Sequence, residues 1–169
     1  MFVSGSDHAA PTTVTVRVVG VARGNPGLAG AGIIIADAGG GPPTRVARYL
    51  GNATQLEAQL QALELALRYA RPYAPAPLRF ELVNETAVRQ LSGEQQPRHP
   101  AVLRMLEPID RLLAPFGRAI FTLGRQDDLT EAMQLADLGI DTRLRPLPMY
   151  DPPLPSDELG QSHIKRRGL

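Results

Sequence analysis

Residues 23–35, RGNPGLAGAGIII, place a glycine-rich turn directly before an apolar run. The preceding residues 12–21, TTVTVRVVGV, are largely β-branched, and this composition predicts a strand. Glycine and proline in GNPG predict a tight turn, and residues 31–36 predict a second strand. Residues 44–50 alternate well enough for a third strand, so we expect an antiparallel three-stranded start.

The clearest helix of the chain follows this third strand, over residues 54–69. Its leucines recur at helical spacing and define one apolar face: Leu56, Leu60, Leu63 and Leu67. The following loop, PYAPAP, contains three prolines and stops the helix. The sequence therefore predicts an amphipathic helix packed against the three strands.

The second half of the chain continues the alternation of strands and helices. Asn84 follows an extended run and is a good N-cap for the next helix. Asp128 and Glu131 have capping-box spacing and predict the start of the last helix. The order is then βββαβααβα, with strands over 78–83 and 117–123 and helices from Asn84 to about Gly93, over 100–113, and from Asp128 to about Leu138.

Composition excludes several kinds of site. The chain has 169 residues, enough for one domain, and no cysteine, which excludes disulfides, thiolate metal sites and a cysteine nucleophile. The histidines His8, His99 and His163 lie too far apart in sequence to form a ligand pair. No apolar run approaches the ~20 residues that span a bilayer, and the N-terminus does not resemble a secretory signal. We therefore expect a cytoplasmic protein without a membrane partner.

The ends of the chain differ from its centre. We expect residues 1–11 to be disordered, residues 12–141 to form the folded domain, and residues 142–169 to form a proline-rich basic tail. The whole chain carries a formal charge of only +1, whereas proteins that bind nucleic acid usually have a marked basic surface. The tail segment PLPMYDPPLP has two interpretations, a polyproline ligand for a protein partner or an ordinary proline-rich terminus.

Four features of the chain together resemble the compact bacterial and archaeal ribonuclease H-like domains. They are the order of elements, the RGNPG turn after the first strand, the helix after the third strand and the VRQLSG ending of the next helix. The resemblance extends over residues 12–141 and implies an α/β fold. Its five-stranded mixed sheet would have three antiparallel strands, then two parallel ones, with helices on both faces. It also implies an enzyme that cuts the RNA strand of an RNA–DNA hybrid, with two magnesium ions held by four carboxylates.

The four carboxylates of the family can be located in this sequence by their neighbours. The aspartate four residues before the arginine of RGNPG corresponds to Val19, and the glutamate three residues after an asparagine, here Asn52, corresponds to Gln55. The aspartate before the helix containing VRQL corresponds to Val83, and that of the Ala-Asp-x-Leu-Ala pattern to Met133. Val19, Gln55, Val83 and Met133, called below the four carboxylate positions, are all neutral. We therefore expect no catalysis, no metal and no cofactor.

No small shift of the alignment restores an acid at these positions. Glu57 would require the helix to turn by about 200°, away from the face that its leucines form. We expect an apolar patch here, with Val19 and Val83 at buried strand ends. Arg17 and Glu81 are predicted to share the faces of Val19 and Val83, and they either form an ion pair or lie separately on the surface. The nearest acids in the sequence are Glu81, Glu85, Asp127 and Asp128.

The resemblance also implies residues that contact nucleic acid. They are Arg23, Gly24, Asn25 and Gly27 of the turn, Asn52, and Arg125. Each has a simpler interpretation: the turn needs its glycines for conformation, Asn52 caps the long helix, and Arg125 is solvated. Three functions remain open: an inactive domain that binds RNA, DNA or their hybrid, a scaffold for protein partners, and an active nuclease with an unrecognised set of acids.

Overall fold

The computed structural model describes residues 12–143. The predicted disordered N-terminus and nearly all of the proline-rich tail lie outside these residues. The strands are β1 (Val14–Gly24), β2 (Gly27–Asp37), β3 (Thr44–Ala53), β4 (Leu78–Leu82) and β5 (Ala119–Leu123). The helices are α1 (Gln55–Ala70), α2 (Glu85–Leu91), α3 (Pro100–Leu113) and α4 (Gln126–Asp141), with a 3₁₀ turn at Arg71–Tyr73.

The five strands form one mixed sheet in the order β3-β2-β1-β4-β5. Strands β1, β2 and β3 pair antiparallel, whereas β4 pairs parallel to both β1 and β5. The order of elements and the predicted sheet, three antiparallel strands and then two parallel ones, are therefore confirmed. Within the described residues, no helix is long and apolar enough to cross a membrane.

Helices cover both faces of the sheet, and the period of two along the strands sorts the side chains between them. Val16, Val18 and Phe80 point to the main core, where α1 and α3 pack. On the opposite face α4 packs across β2, β3 and β1. Its backbone approaches β2 so closely that a Cβ at Gly32 would lie 1.8 Å from the Ala132 carbonyl oxygen. Only glycine permits this approach, so α4 is held directly against the sheet.

Two helix starts differ from the sequence expectation. The capping box predicted at Asp128 and Glu131 is wrong, because α4 begins at Gln126 and its N-cap is Arg125. Glu131 instead pairs with Arg45 of β3, across the sheet face. Thr54, not Asn52, caps α1, in a reciprocal capping box with Glu57. The cap predicted at Asn84 is confirmed, since its side chain accepts a hydrogen bond from the Ala87 N–H at 2.9 Å.

Candidate functional site

The carboxyl ends of β1 and β4 separate, and α1 reaches into the gap. The two strands pair as far as Val18 and Leu82, after which β4 ends and β1 continues to Gly24. The buried side chain of Gln59 lies in this gap. Its Nε2 donates to the Val18 carbonyl at 3.0 Å, and its Oε1 accepts from the Val83 N–H at 3.2 Å. Gln59 thereby replaces the missing strand pairing and joins the two strand ends to α1.

Val19 follows Val18 and is fully buried, at 0 % exposure, on the face covered by α4. It belongs to a small apolar cluster formed between the sheet and this helix. Met133 of α4 packs against the same cluster, so two of the four carboxylate positions meet there. The members of the cluster are Val19, Ile34, Ala47, Leu129, Ala132, Leu135 and Ala136. Side-chain packing occupies this part of the site.

Gln55 lies at the start of α1. Both polar atoms of its side-chain amide form hydrogen bonds with the backbone of β1. Its Nε2 donates to the Ala22 carbonyl at 2.7 Å, and its Oε1 accepts from the Ala22 N–H at 3.2 Å. Ala22 lies beyond the end of β4, where β1 has lost its parallel neighbour. An ionised carboxylate only accepts hydrogen bonds, so it would meet the Ala22 carbonyl without a proton to offer. A glutamine therefore fits this position better than a glutamate.

Val83 does not lie in a buried strand end. Its exposure is 36 %, and the expectation of burial is wrong, because β4 ends at Leu82 and Val83 already belongs to the turn into α2. Leu123 at the end of β5, the strand partner of Leu82, is 52 % exposed. The ends of β4 and β5 thus present two apolar side chains to solvent.

The ion pair predicted between Arg17 and Glu81 is confirmed. The two residues are direct partners in the β1–β4 ladder, and Arg17 Nε lies 2.9 Å from Glu81 Oε1. Arg79 Nε lies 3.7 Å from the other oxygen of the same carboxylate. Glu81 is therefore an acid with two cationic neighbours, and its charge is already compensated within the sheet.

The residues at the four carboxylate positions do not fit a pair of magnesium ions. Magnesium binds to carboxylate and other oxygen ligands, whereas Val19, Val83 and Met133 offer none and both amide atoms of Gln55 are bound to Ala22. Across residues 12–143, no group of three or more His, Cys, Asp or Glu side chains is arranged to hold a metal ion. Asp127 and Asp128 lie exposed in the first turn of α4.

The RGNPG turn has a tight conformation that only glycine permits at two positions. Gly24 has a φ of +112°, and a Cβ at Gly27 would lie 2.0 Å from the Arg23 carbonyl oxygen. Asn25 Oδ1 accepts a hydrogen bond from the Gln55 N–H at 3.0 Å, which ties the turn to the start of α1. The conformation of the turn is thus explained by its glycines and by its contact with α1, whatever else it contacts.

Arg23, the first residue of the turn motif, pairs with two aspartates of α4. Its Nη1 lies 2.8 Å from Asp141 Oδ1, and its Nη2 lies 3.4 Å from Asp137 Oδ1. The same Nη2 donates to the Asp137 carbonyl at 3.4 Å. The hydrogen bond to the Asp141 carboxylate raises the pKa of Arg23 further above its ordinary value. Asp137 and Asp141 are called below the aspartate clamp.

The residues predicted to contact nucleic acid fall into two separate groups. Arg23, Leu28 and Asn52 are successive partners across β1, β2 and β3, and all three are exposed on one sheet face beyond the end of α4. Arg125 lies two residues after Leu123, whose ladder level is that of Val18. The row lies five residues beyond Val18 along β1, about 16 Å in the strand direction, and β4 separates β1 from β5. Arg23 and Asn52 thus lie on the side of the sheet formed by β1, β2 and β3, whereas Arg125 follows the end of β5.

Sequence reasoning missed three side chains that define this region: Gln59, Asp137 and Asp141. Gln59 lies one helical turn after Gln55 on the same face of α1, and this spacing is a usable signal. The aspartate clamp carried no such signal, because Asp141 is 118 residues away from Arg23 in the sequence.

Replacing Gln55 by glutamate is expected to lower the free energy of unfolding by about 1 kcal/mol, because the hydrogen bond to the Ala22 carbonyl is lost. Chemical denaturation monitored by circular dichroism measures this loss. The matched control is Q126E, at the first position of α4, where the described residues show no side-chain hydrogen bond. Equal stability of the two variants would contradict a backbone-binding role for Gln55.

Comparison with known proteins supports the fold and its family. The family model described as reverse transcriptase-like matches residues 17–139. The chain is similar to the RNase H1 of the halophilic archaeon Halobacterium salinarum NRC-1, with 26% identity, a TM-score of 0.71, and coverage of 76% of this chain and 98% of that one. It is equally similar to LC11-RNase H1, solved in complex with an RNA/DNA hybrid, with 25% identity, a TM-score of 0.72, and coverage of 78% and 99%.

A third similar structure is the N-terminal RNase H domain of Rv2228c from Mycobacterium tuberculosis, solved as a fusion with maltose-binding protein. It shares 25% identity with a TM-score of 0.71 and covers 76% of this chain and 99% of its own. A search of curated proteins gives no significant match. The family match spans most of the chain, and the expected five-stranded mixed sheet is present, so this chain belongs to the reverse transcriptase-like family of ribonuclease H-like domains.

Proposed function

We propose that this domain binds nucleic acid, with an RNA–DNA hybrid as the first candidate, and does not cleave it. The observation that carries the loss of cleavage is the burial of Val19 against the apolar cluster of α4, where Met133 also packs. Two-metal hydrolysis depends on carboxylates that hold the ions against the attacking and leaving oxygens. The four carboxylate positions provide no such group, and this supports an inactive member of an enzyme family.

Support for binding comes from a similar protein and from exposed residues of the turn, of β3 and of the start of α4. LC11-RNase H1, which is 25% identical, has been solved with an RNA/DNA hybrid. This chain has the turn that the family places near nucleic acid, and Asn52 is exposed beside it. Arg125 is an exposed cation at the start of α4. We propose the turn, Asn52 and Arg125 as the contacts within the domain of residues 12–141.

A protein scaffold is the alternative function, and one observation favours it. Val83 and Leu123 are exposed apolar side chains at neighbouring strand ends, 36 % and 52 % accessible, beside the position where the family holds its metals. Apolar side chains of this kind suit a protein partner better than a phosphate backbone. The proline-rich tail of residues 142–169 is a second candidate contact for a protein partner.

The test is fluorescence anisotropy of a labelled RNA–DNA hybrid at two salt concentrations, with magnesium present and a gel to follow the RNA. We expect binding that weakens as salt rises, because phosphate contacts release counterions, and we expect intact RNA. Absence of binding at low salt would contradict the nucleic-acid proposal and favour the scaffold. Magnesium-dependent cuts would contradict the inactive assignment.

Two variants test whether Arg125 contacts the hybrid. R125A is expected to weaken hybrid binding several-fold and to reduce the salt slope by about one unit, as the loss of one phosphate contact does. The matched control is R104A, an exposed arginine of α3 on the opposite side of the sheet. Equal effects of both variants would indicate a general charge effect and remove Arg125 from the interface.

A further inference from the structure

We infer that the aspartate clamp sets the affinity of this domain for nucleic acid, because Asp137 and Asp141 compete with phosphate for Arg23. This inference rests on the proposed function and names the residues that limit it. Arg23 begins the turn that the proposed interface uses, yet its guanidinium already lies 2.8 Å from Asp141 Oδ1 and 3.4 Å from Asp137 Oδ1. The clamp supplies two carboxylates to one guanidinium, so the charge of Arg23 is compensated by its own neighbours.

The position of the clamp explains how it acts. Asp137 and Asp141 lie on the last turns of α4, where exposed carbonyls already carry partial negative charge. Arg23 also donates to one of these carbonyls, that of Asp137, at 3.4 Å. The guanidinium is thereby held at the end of α4 by three contacts with Asp137 and Asp141.

The clamp can be opened, because all three side chains are accessible to solvent. Arg23 is 44% exposed, and Asp137 and Asp141 are 58% and 59% exposed. Ion pairs at such positions contribute little to stability, since water and salt screen them. Arg23 can therefore exchange the two carboxylates for a phosphate with little loss of folding stability. Whether it does so depends on how strongly each binds its guanidinium.

The clamp also lowers the positive charge that the proposed interface offers to a phosphate. Arginine is well suited to bind a phosphate with two parallel hydrogen bonds, and Arg23 would be the strongest such group in the row. With the clamp present, the row offers an amide, an apolar side chain and a neutralised cation. We therefore expect weak binding by the natural chain and stronger binding when the clamp carries no charge.

The experiment compares the natural chain with D137N/D141N by anisotropy of the labelled RNA–DNA hybrid over a salt series. The double variant should bind about five- to tenfold more tightly at low salt, with a salt slope steeper by about 0.9, as one added phosphate contact predicts. The same substitutions made with R23A should produce no gain, because the released cation is then absent. D141N alone, which removes the charge from the shorter contact, should give part of the gain.

Matched charge removal elsewhere provides the control. E107Q/D110N removes two negative charges from exposed positions of α3, on the other side of the sheet, and should leave binding unchanged. A gain that persists with R23A, or an equal gain in the α3 control, would overturn the inference and leave the proposed function intact. Equal affinity of the natural chain and D137N/D141N would also overturn it. If neither binds the hybrid, the proposed function itself fails, and the inference fails with it.

Discussion

Replacing Val19 by aspartate is expected to lower the free energy of unfolding by about 3–5 kcal/mol, because an unpaired carboxylate would be buried in an apolar cluster. Val19 is 0 % exposed and packs with Leu129, Ala132 and Ile34. Arg17, the cation on the same face of β1, is already paired with Glu81. The substitution that introduces the aspartate implied by the resemblance is therefore expected to destabilise this chain.

Urea denaturation of V19D with and without magnesium measures the effect. Magnesium should not recover the lost stability, because the other carboxylate positions remain neutral and cannot complete a metal site. The loss should shrink at acidic pH, where protonation removes the charge of the introduced carboxyl group. The matched control is V83D, where the carboxylate remains hydrated and the expected loss is below about 1 kcal/mol. Equal losses for the two variants would contradict the packing of Val19 described above.

Replacing Gly32 by alanine is expected to cost about 2–4 kcal/mol, because the added methyl group would collide with backbone atoms of α4. The Cβ would lie 1.8 Å from the Ala132 carbonyl oxygen and 2.6 Å from the Ala136 nitrogen. Neither atom belongs to a flexible side chain, so the whole helix must move away from β2. Such a shift would also loosen the cluster around Val19 and Met133.

The control for this prediction is G41A in the loop between β2 and β3. No atom lies within 4 Å of a Cβ at Gly41, so its stability should remain within about 0.5 kcal/mol of the natural chain. Thermal or chemical denaturation compares the two variants directly. A G32A protein as stable as G41A would mean that α4 does not pack against β2 as closely as described.

The sequence was sufficient for the order of elements and for the arrangement of the sheet. Strand and helix patterns are local, so the β-branched run before RGNPG and the leucine spacing of α1 predicted their elements correctly. The pairing of Arg17 with Glu81 was also accessible, because a period of two on neighbouring strands places both on one face. The start of α4 could not be predicted from the sequence, since Glu131 has capping-box spacing but pairs with Arg45 across the sheet.

The sequence by itself determined which side chains stand at residues 19, 55, 83 and 133, and a valine or methionine cannot supply a carboxylate in any fold. Only the tertiary structure decided what these residues contact. Gln55 binds the edge of β1 because β4 ends early, and Val19 is buried because α4 lies against Gly32. Arg23 meets Asp141 only when α4 crosses the sheet and brings its last turn to the β1–β2 turn. Such contacts depend on how distant elements pack, and no local pattern in the chain encodes them.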